Sequence, residues 1–331
     1  MFKRVLNKIL LFITFIVTLC SCSIEGEPPI EHTKSQLCVY CNKCIDDECE
    51  CDDKCVCAPL LVTKESFKLY ENTIWETNGY LFKTNKEGPG IVIIGGIHGD
   101  ETAGWQAALD LVDIIENESK ICGNILIVPQ VNIIADIREE RYVGKKYSED
   151  NFTVKTVTID GVTDKYSDLN RSFELGRREN SSTRTIWLSD GIIELVNDFN
   201  TQYGADYIID LHESRKSWDQ QQTADENSQL GDKLIFSNKP AVCRKIISNY
   251  NKNYRLENEV YFGNDEASQA GSFSYTMSLK YPNSVVFTIE TNRDFYYINS
   301  TTWYNNIPLA TRVRQQLNML RSMFDIAWGR I

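Results

Sequence analysis

His98 and Glu101 stand three residues apart, directly after the β-branched run Ile91–Ile94. His212 follows a second such run, Tyr207–Leu211. Short apolar runs of this kind read as buried parallel strands. A His-x-x-Glu just past a strand end can offer one imidazole and one carboxylate to the same ion. A distant second His can complete three protein ligands and leave one position open for water, the feature that separates a catalytic zinc from a structural one. Two further stretches carry reactive groups: Asp168-Leu169-Asn170-Arg171-Ser172-Phe173, and Val285–Thr291, a strand pattern that ends in the carboxylate of Glu290.

In this order the residues resemble the zinc carboxypeptidase superfamily, and within it the succinylglutamate desuccinylase/aspartoacylase branch. The matching pieces are Gly-x-His-Gly-Asp-Glu at 96–101, Asp-Leu-Asn-Arg-x-Phe at 168–173, Asp-Leu-His at 210–212 and Thr-x-Glu-Thr at 288–291. Asn132, followed nine residues later by Arg141-Tyr142-Val143, also fits. The resemblance covers roughly residues 67–330. It implies one zinc ion per catalytic domain, held by His98, Glu101 and His212. It implies Glu290 as general base and acid, Arg141 as the group that stabilises an oxyanion or grips substrate, and Asn170 with Arg171 as holders of a substrate carboxylate. The chemistry of these residue types agrees. A zinc ion brings its water's pKa towards neutrality, a nearby carboxylate relays the proton, and guanidinium binds carboxylate bidentately where Lys does not.

Other readings stand beside these. Arg138 competes with Arg141, and spacing favours Arg141. Arg171 could instead pair with Asp168. Asp210 is either an orienter of a ligand histidine or a strand-end cap. Tyr275, Tyr281, Tyr296 and Tyr297 are candidates to supply a phenol. Glu213 adds a third acidic group, an alternative ligand. The family's Asn-Pro is Asn132-Ile133 here, and about two dozen residues, Gly144 to Ser167, separate Arg141 from the Asp-Leu-Asn-Arg motif. Such an insertion reads as a surface loop near the cleft.

These groups need a scaffold. The 331 residues are 42% hydrophobic, enough for one large domain with appendages. Ile91–Ile94, Ile125–Val131, Tyr207–Leu211 and Val285–Ile289 are the strand candidates. Trp105, Ala108, Leu109, Val112 and Ile115 form the apolar face of an intervening helix, and Thr183–Phe199 and Leu309–Trp328 are further helices. Alternating strands and helices predict an α/β fold: a single zinc-carboxypeptidase-like domain with a mixed, largely parallel sheet flanked by helices. Ligands of such sheets bind at the carboxyl ends of the strands, where His98, Glu101 and His212 fall.

The N-terminus reads as a targeting segment. Lys3, Arg4 and Lys8 precede an apolar stretch, Ile9–Leu19, too short for a bilayer core of roughly 30 Å. It ends in Leu19-Cys20-Ser21-Cys22, which resembles a bacterial lipobox with Cys22 as the lipidated residue. The expected division is a lipoprotein-type signal peptide at 1–22, a tether and cysteine-rich segment at 23–66, and the zinc hydrolase domain at 67–331. Cys38, Cys41, Cys44, Cys49, Cys51, Cys55 and Cys57 crowd together among acidic residues. Disulfides or an extra metal must order such a segment, since it has no apolar core. Cys122 and Cys243 read as small buried hydrophobes.

The expected protein is exported and lipid-anchored to the bacterial cell membrane on its extracytoplasmic side. A net charge of -11 without a basic patch excludes nucleic acid as a partner. The leading function is hydrolysis of an amide bond adjacent to a carboxylate in a small peptide, from the cell wall or the surroundings. The alternatives are an N-acyl-amino-acid deacylase and a non-catalytic surface lipoprotein that binds a metal or ligand.

Overall fold

The computed structural model describes residues 61–118, 121–138, 141–143, 156–159, 162–165, 168–173, 183–218, 232–257, 259, 261–265, 270–297 and 303–330. The leader with Cys22 and the cysteine-rich segment lie outside them. Among the described residues no helix is long and apolar enough to cross a membrane.

The frame is a mixed nine-stranded sheet. Its strands are β1 (Val62–Leu69), β2 (Thr77–Thr84), β3 (Gly90–Gly95), β4 (Asn124–Val128), β7 (Tyr207–Trp218), β8 (Lys233–Phe236), β9 (Gly263–Asp265), β10 (Val285–Tyr297) and β11 (Trp303–Asn306). Along the sheet they run β1-β2-β4-β3-β7-β10-β8-β9, with β11 on β10. The central strands β4, β3, β7 and β10 are parallel. Antiparallel neighbours flank them on both sides. β1 starts a few residues ahead of position 67, where the globular pattern was expected to begin. Inside the insertion after Arg141, β5 (Thr156–Ile159) and β6 (Val162–Lys165) make a separate antiparallel ribbon.

Every residue of β3 is buried, as a central strand demands. Alternation then sends Ile91 and Ile93 into one apolar layer and Val92 and Ile94 into the other. Helices α1 (Thr102–Glu116), α4 (Pro240–Asn253) and α6 (Leu309–Ala327) cover the first face. Helices α3 (Thr183–Tyr203) and α5 (Phe273–Lys280) cover the second. Each fully buried Ile or Val contributes about 1.5–3 kcal/mol, so the two layers hold the sheet from both sides. A short helix, α2 (Ile133–Arg138), closes the end of β4.

The expected helices form, but the apolar face drawn on α1 is corrected. Its buried residues are Ala103, Gly104, Ala107, Ala108, Leu111, Val112 and Ile115, while Leu109 is 37% exposed and Trp105 half-buried. The reason is a close approach. A Cβ at Gly104 would lie 2.6 Å from the Leu211 carbonyl oxygen, so α1 meets β7 through its smallest residues. β7 and β10 also outrun their apolar stretches, because their polar second halves pair with each other. Cys243 is buried, whereas Cys122 is half-buried.

β3 is the strand at which the chain order reverses, with β4 on one side and β7 on the other. Such a switch point opens a crevice at the strand ends. The turn that leaves β3 is packed tightly there: Gly96 has φ +70°, and the Asp136 carboxylate lies 2.9 Å from where its Cβ would be. Asp136 is buried, and neither carboxylate oxygen has a hydrogen-bond partner among the described residues. Burial alone pushes its pKa well above the usual carboxylate value. An acid whose folded pKa is raised destabilises the fold as pH rises past its unfolded pKa. Asp136→Asn is therefore expected to raise the melting temperature at pH 8 and to leave it unchanged at pH 3.5. Equal shifts at both pH values would show that Asp136 carries no such burden.

Candidate metal centre

The last β3–β7 pair is Gly95↔Leu211, so His212 is the first residue of β7 beyond the edge of β3. His98 rises from the turn after β3, and Glu101 is the N-cap residue of α1. Their donor atoms lie within 4.8 Å of one another, and all three side chains are buried. Glu101 sits between the imidazoles: its Oε1 is 2.8 Å from His98 Nδ1 and its Oε2 is 2.6 Å from His212 Nδ1. The outer ring nitrogens are also held. His98 Nε2 is 2.9 Å from Asp168 Oδ1, and His212 Nε2 is 2.8 Å from Asp210 Oδ2. A carboxylate behind each imidazole fixes its tautomer and raises its basicity, the arrangement that supports metal-binding histidines. Asp210 therefore contacts the His212 ring, the contact that the orienter reading requires.

The electrostatics follow from burial opposed by pairing. Burial disfavours both imidazolium ions, but Glu101 and Asp168 outweigh it at His98, and Asp210 and Glu101 outweigh it at His212. Both histidines therefore titrate above the ordinary range. Burial would also raise Glu101, yet the two histidines hold it well below the carboxylate range.

Glu290 faces this centre from the neighbouring strand, directly opposite His212 in the β7–β10 register. Burial pushes its pKa up to about 7, and its Oε2 is buried with no hydrogen-bond partner among the described residues. Arg141 donates to Glu101 Oε1 at 2.8 Å, and its Nε lies 3.4 Å from Asp168 Oδ2. The side chain of its competitor Arg138 lies outside the described residues. Asp168 caps the single 3-10 turn Leu169–Arg171 by accepting from the Asn170 N–H at 2.9 Å. Asn170 accepts from the Phe273 N–H at 2.9 Å, and its Nδ2 lies 3.3 Å from His212 Nε2. Arg171 donates to the Asn170 carbonyl at 2.7 Å and stays partly exposed.

Glu213 is corrected as an alternative ligand. Successive strand residues point to opposite faces, so beside His212 it turns away from the centre. There its Oε2 accepts from the Ala103 N–H at 2.9 Å, and its Oε1 pairs with Arg312. Its own N–H donates to Glu101 Oε2 at 2.9 Å. Tyr281 is spent on Asn197 of α3, and the side chains of Tyr296 and Tyr297 lie outside the described residues.

Sequence reasoning missed the supports on α6. Arg312 holds Glu213, and Gln316 donates to the His212 carbonyl at 2.7 Å and to Thr291 Oγ1 at 3.1 Å. The available signal was a pair of polar residues four apart within that helix's apolar stripe, both buried.

Residues 87–234 match the succinylglutamate desuccinylase/aspartoacylase catalytic domain. The match takes in His98, Glu101, Arg141, Asn170, Arg171 and His212, and Glu290 lies beyond it. The family thus fits the zinc carboxypeptidase-like superfamily and the branch expected from the motifs. A comparison with curated proteins finds no match. Among solved structures, the product-bound cell shape determinant protein Csd4 of Helicobacter pylori is similar, with TM-score 0.50, 14% identity, and coverage of 80% of this chain and 55% of that one. The mDAP-bound form of the same protein, described as a D,L-carboxypeptidase, gives TM-score 0.48, 16% identity and coverages of 72% and 51%. A succinylglutamate desuccinylase from a Silicibacter species gives 0.46, 16%, 81% and 67%. At these identities the likeness is one of fold, and this chain spans a little over half the length of Csd4.

Because both histidines hold protons more tightly than usual, a dication must displace them on binding. Zn2+ affinity is expected to fall as pH drops from 8 to 6. Calorimetry in buffers of different ionisation enthalpy should register proton release. A pH-independent affinity with no proton release would contradict this picture of the centre.

Proposed function

We propose that the chain is a zinc-dependent hydrolase that cleaves an amide bond next to a carboxylate. The observation that carries this reading is the convergence of His98, Glu101 and His212, with Glu290 opposite His212 in the register. The donor set suits zinc: two imidazole nitrogens and a carboxylate oxygen, each braced from behind. The buried Oε2 of Glu290, which lacks a partner among the described residues, marks where a reacting water would be met. Zinc bound by His98, Glu101 and His212 would supply acidification of a water molecule and polarisation of the scissile carbonyl.

The chain's own residues do the rest. Glu290 is placed to take a proton and deliver it to the leaving amine; burial would put its pKa at about 7. The nearby zinc charge would draw that pKa down and keep the carboxylate ionised at neutral pH. Arg141 is anchored by Glu101 and Asp168, yet keeps 35% of its side chain accessible, so a developing oxyanion can meet a pre-oriented guanidinium. Asn170 locks the 3-10 turn to Phe273, which sets the adjacent Arg171 to bind a substrate carboxylate.

The lipobox-like leader supports an exported enzyme tethered through Cys22, acting on cell-wall or extracellular peptides. The family match supports a second reading, an N-acyl-amino-acid deacylase. Zinc-loaded protein should turn over one class among muropeptides, ordinary peptides and N-acyl amino acids. Glu290→Gln should keep its zinc and lose roughly 100- to 10,000-fold in kcat. Full activity in that variant, or no turnover by zinc-loaded wild type, would overturn the proposal.

A further inference from the structure

β10 does not run straight past the metal centre. Its register with β7 holds to Asn292↔Ser214 and resumes at Asp294↔Arg215, so Arg293 is one extra residue in the β10 count. This is a β-bulge three residues beyond Glu290. Bulges bend a strand and re-aim the side chain they carry. On the other side the Arg293 carbonyl accepts from the Ile307 N–H at 3.3 Å, which fixes the bulge to the chain just after β11.

The re-aimed guanidinium grips Asp100. Nη1 donates to its backbone carbonyl, and Nη2 lies 3.1 Å from its Oδ2. Both side chains are largely shielded, at 12% and 17% accessible. Asp100 stands between His98 and Glu101. On one side of it the turn is held by Asn132, whose Nδ2 donates to the Ile97 carbonyl at 3.1 Å. On the other side α1 begins. The middle of the turn is held by Arg293, from the same strand that carries Glu290.

We propose that Arg293 is a positioning residue: the bulge aims it so that its grip on Asp100 fixes the His98–Glu101 turn relative to Glu290. This inference rests on the proposed metal centre. A fork that takes a carbonyl and a carboxylate of one residue restrains both the place and the rotation of the turn, which an ammonium cannot do.

The test is Zn2+ affinity, measured by competition with a chromophoric chelator on wild type, Arg293→Met, Arg293→Lys, Asp100→Asn and the Arg293→Met, Asp100→Asn double variant. Circular dichroism confirms that each metal-free protein is folded. Arg293→Met should bind zinc roughly tenfold to hundredfold more weakly, and Arg293→Lys should recover part of the loss. Asp100→Asn, which keeps the backbone bond, should lose about fivefold. The double variant should lose less than the product of the single losses, because both act on one contact. A merely structural pair would lower the melting temperature and leave zinc affinity unchanged. Affinity within about twofold of wild type in folded Arg293→Met, or strictly multiplicative losses, would overturn the inference. If Arg293→Met does not fold, unchanged affinity in Asp100→Asn does so. Failure of wild type to bind zinc would instead sink the proposed centre itself, and this inference with it.

Discussion

Taking a carboxylate out of water costs several kcal/mol unless its oxygens find charged or hydrogen-bonding partners. Glu101 is 4% exposed and meets such partners at both oxygens. His98 and Arg141 address Oε1, and His212 and the Glu213 N–H address Oε2. These contacts draw the turn after β3, the N-terminus of α1, the middle of β7 and the segment before the insertion to one point. The outer carboxylates, Asp168 and Asp210, then hold the far sides of the two rings. The rest of the architecture serves to keep this carboxylate where it is.

Backbone geometry sets the positions that the side chains exploit. β3 stops pairing with β7 one residue before His212, so the ring emerges at the crevice rather than inside the sheet. β10 continues beside β7, which puts Glu290 opposite His212 with no further device. Gly104 lets α1 close on the Leu211 carbonyl, and a larger residue there would push Glu101 away from His212. Behind the sheet, α6 takes up the strain of burial: Arg312 neutralises Glu213, and Gln316 holds the His212 carbonyl.

Much of this was legible in the chain. Strand-end histidines are visible because a buried parallel strand is a continuous apolar run, so the first polar residue after it marks the crevice. His98 and His212 were found in this way, Glu101 by its spacing from His98 and Glu290 as a strand-ending carboxylate within the resemblance, and the structure brings them together. What escaped depended on contacts without a local signature. The face of α1 was misread because large residues attract attention, whereas close packing selected Gly104 and Ala107. Glu213 looked like a ligand by proximity, although strand alternation carries it to the opposite face. The bulge at Arg293 has no glycine to announce it, and the length of β10 beyond Ile289 could not be read from hydrophobicity, since Glu290–Arg293 is polar.

The central claim is that zinc binds between His98, Glu101 and His212. X-ray absorption at the zinc edge, on the full chain carrying one equivalent of Zn2+, tests it most directly. The account predicts a nitrogen and oxygen shell at about 2.0–2.1 Å, with the outer-shell signature of two imidazoles and no sulfur. A sulfur shell at about 2.3 Å would place the ion on cysteine thiolates instead and contradict the account.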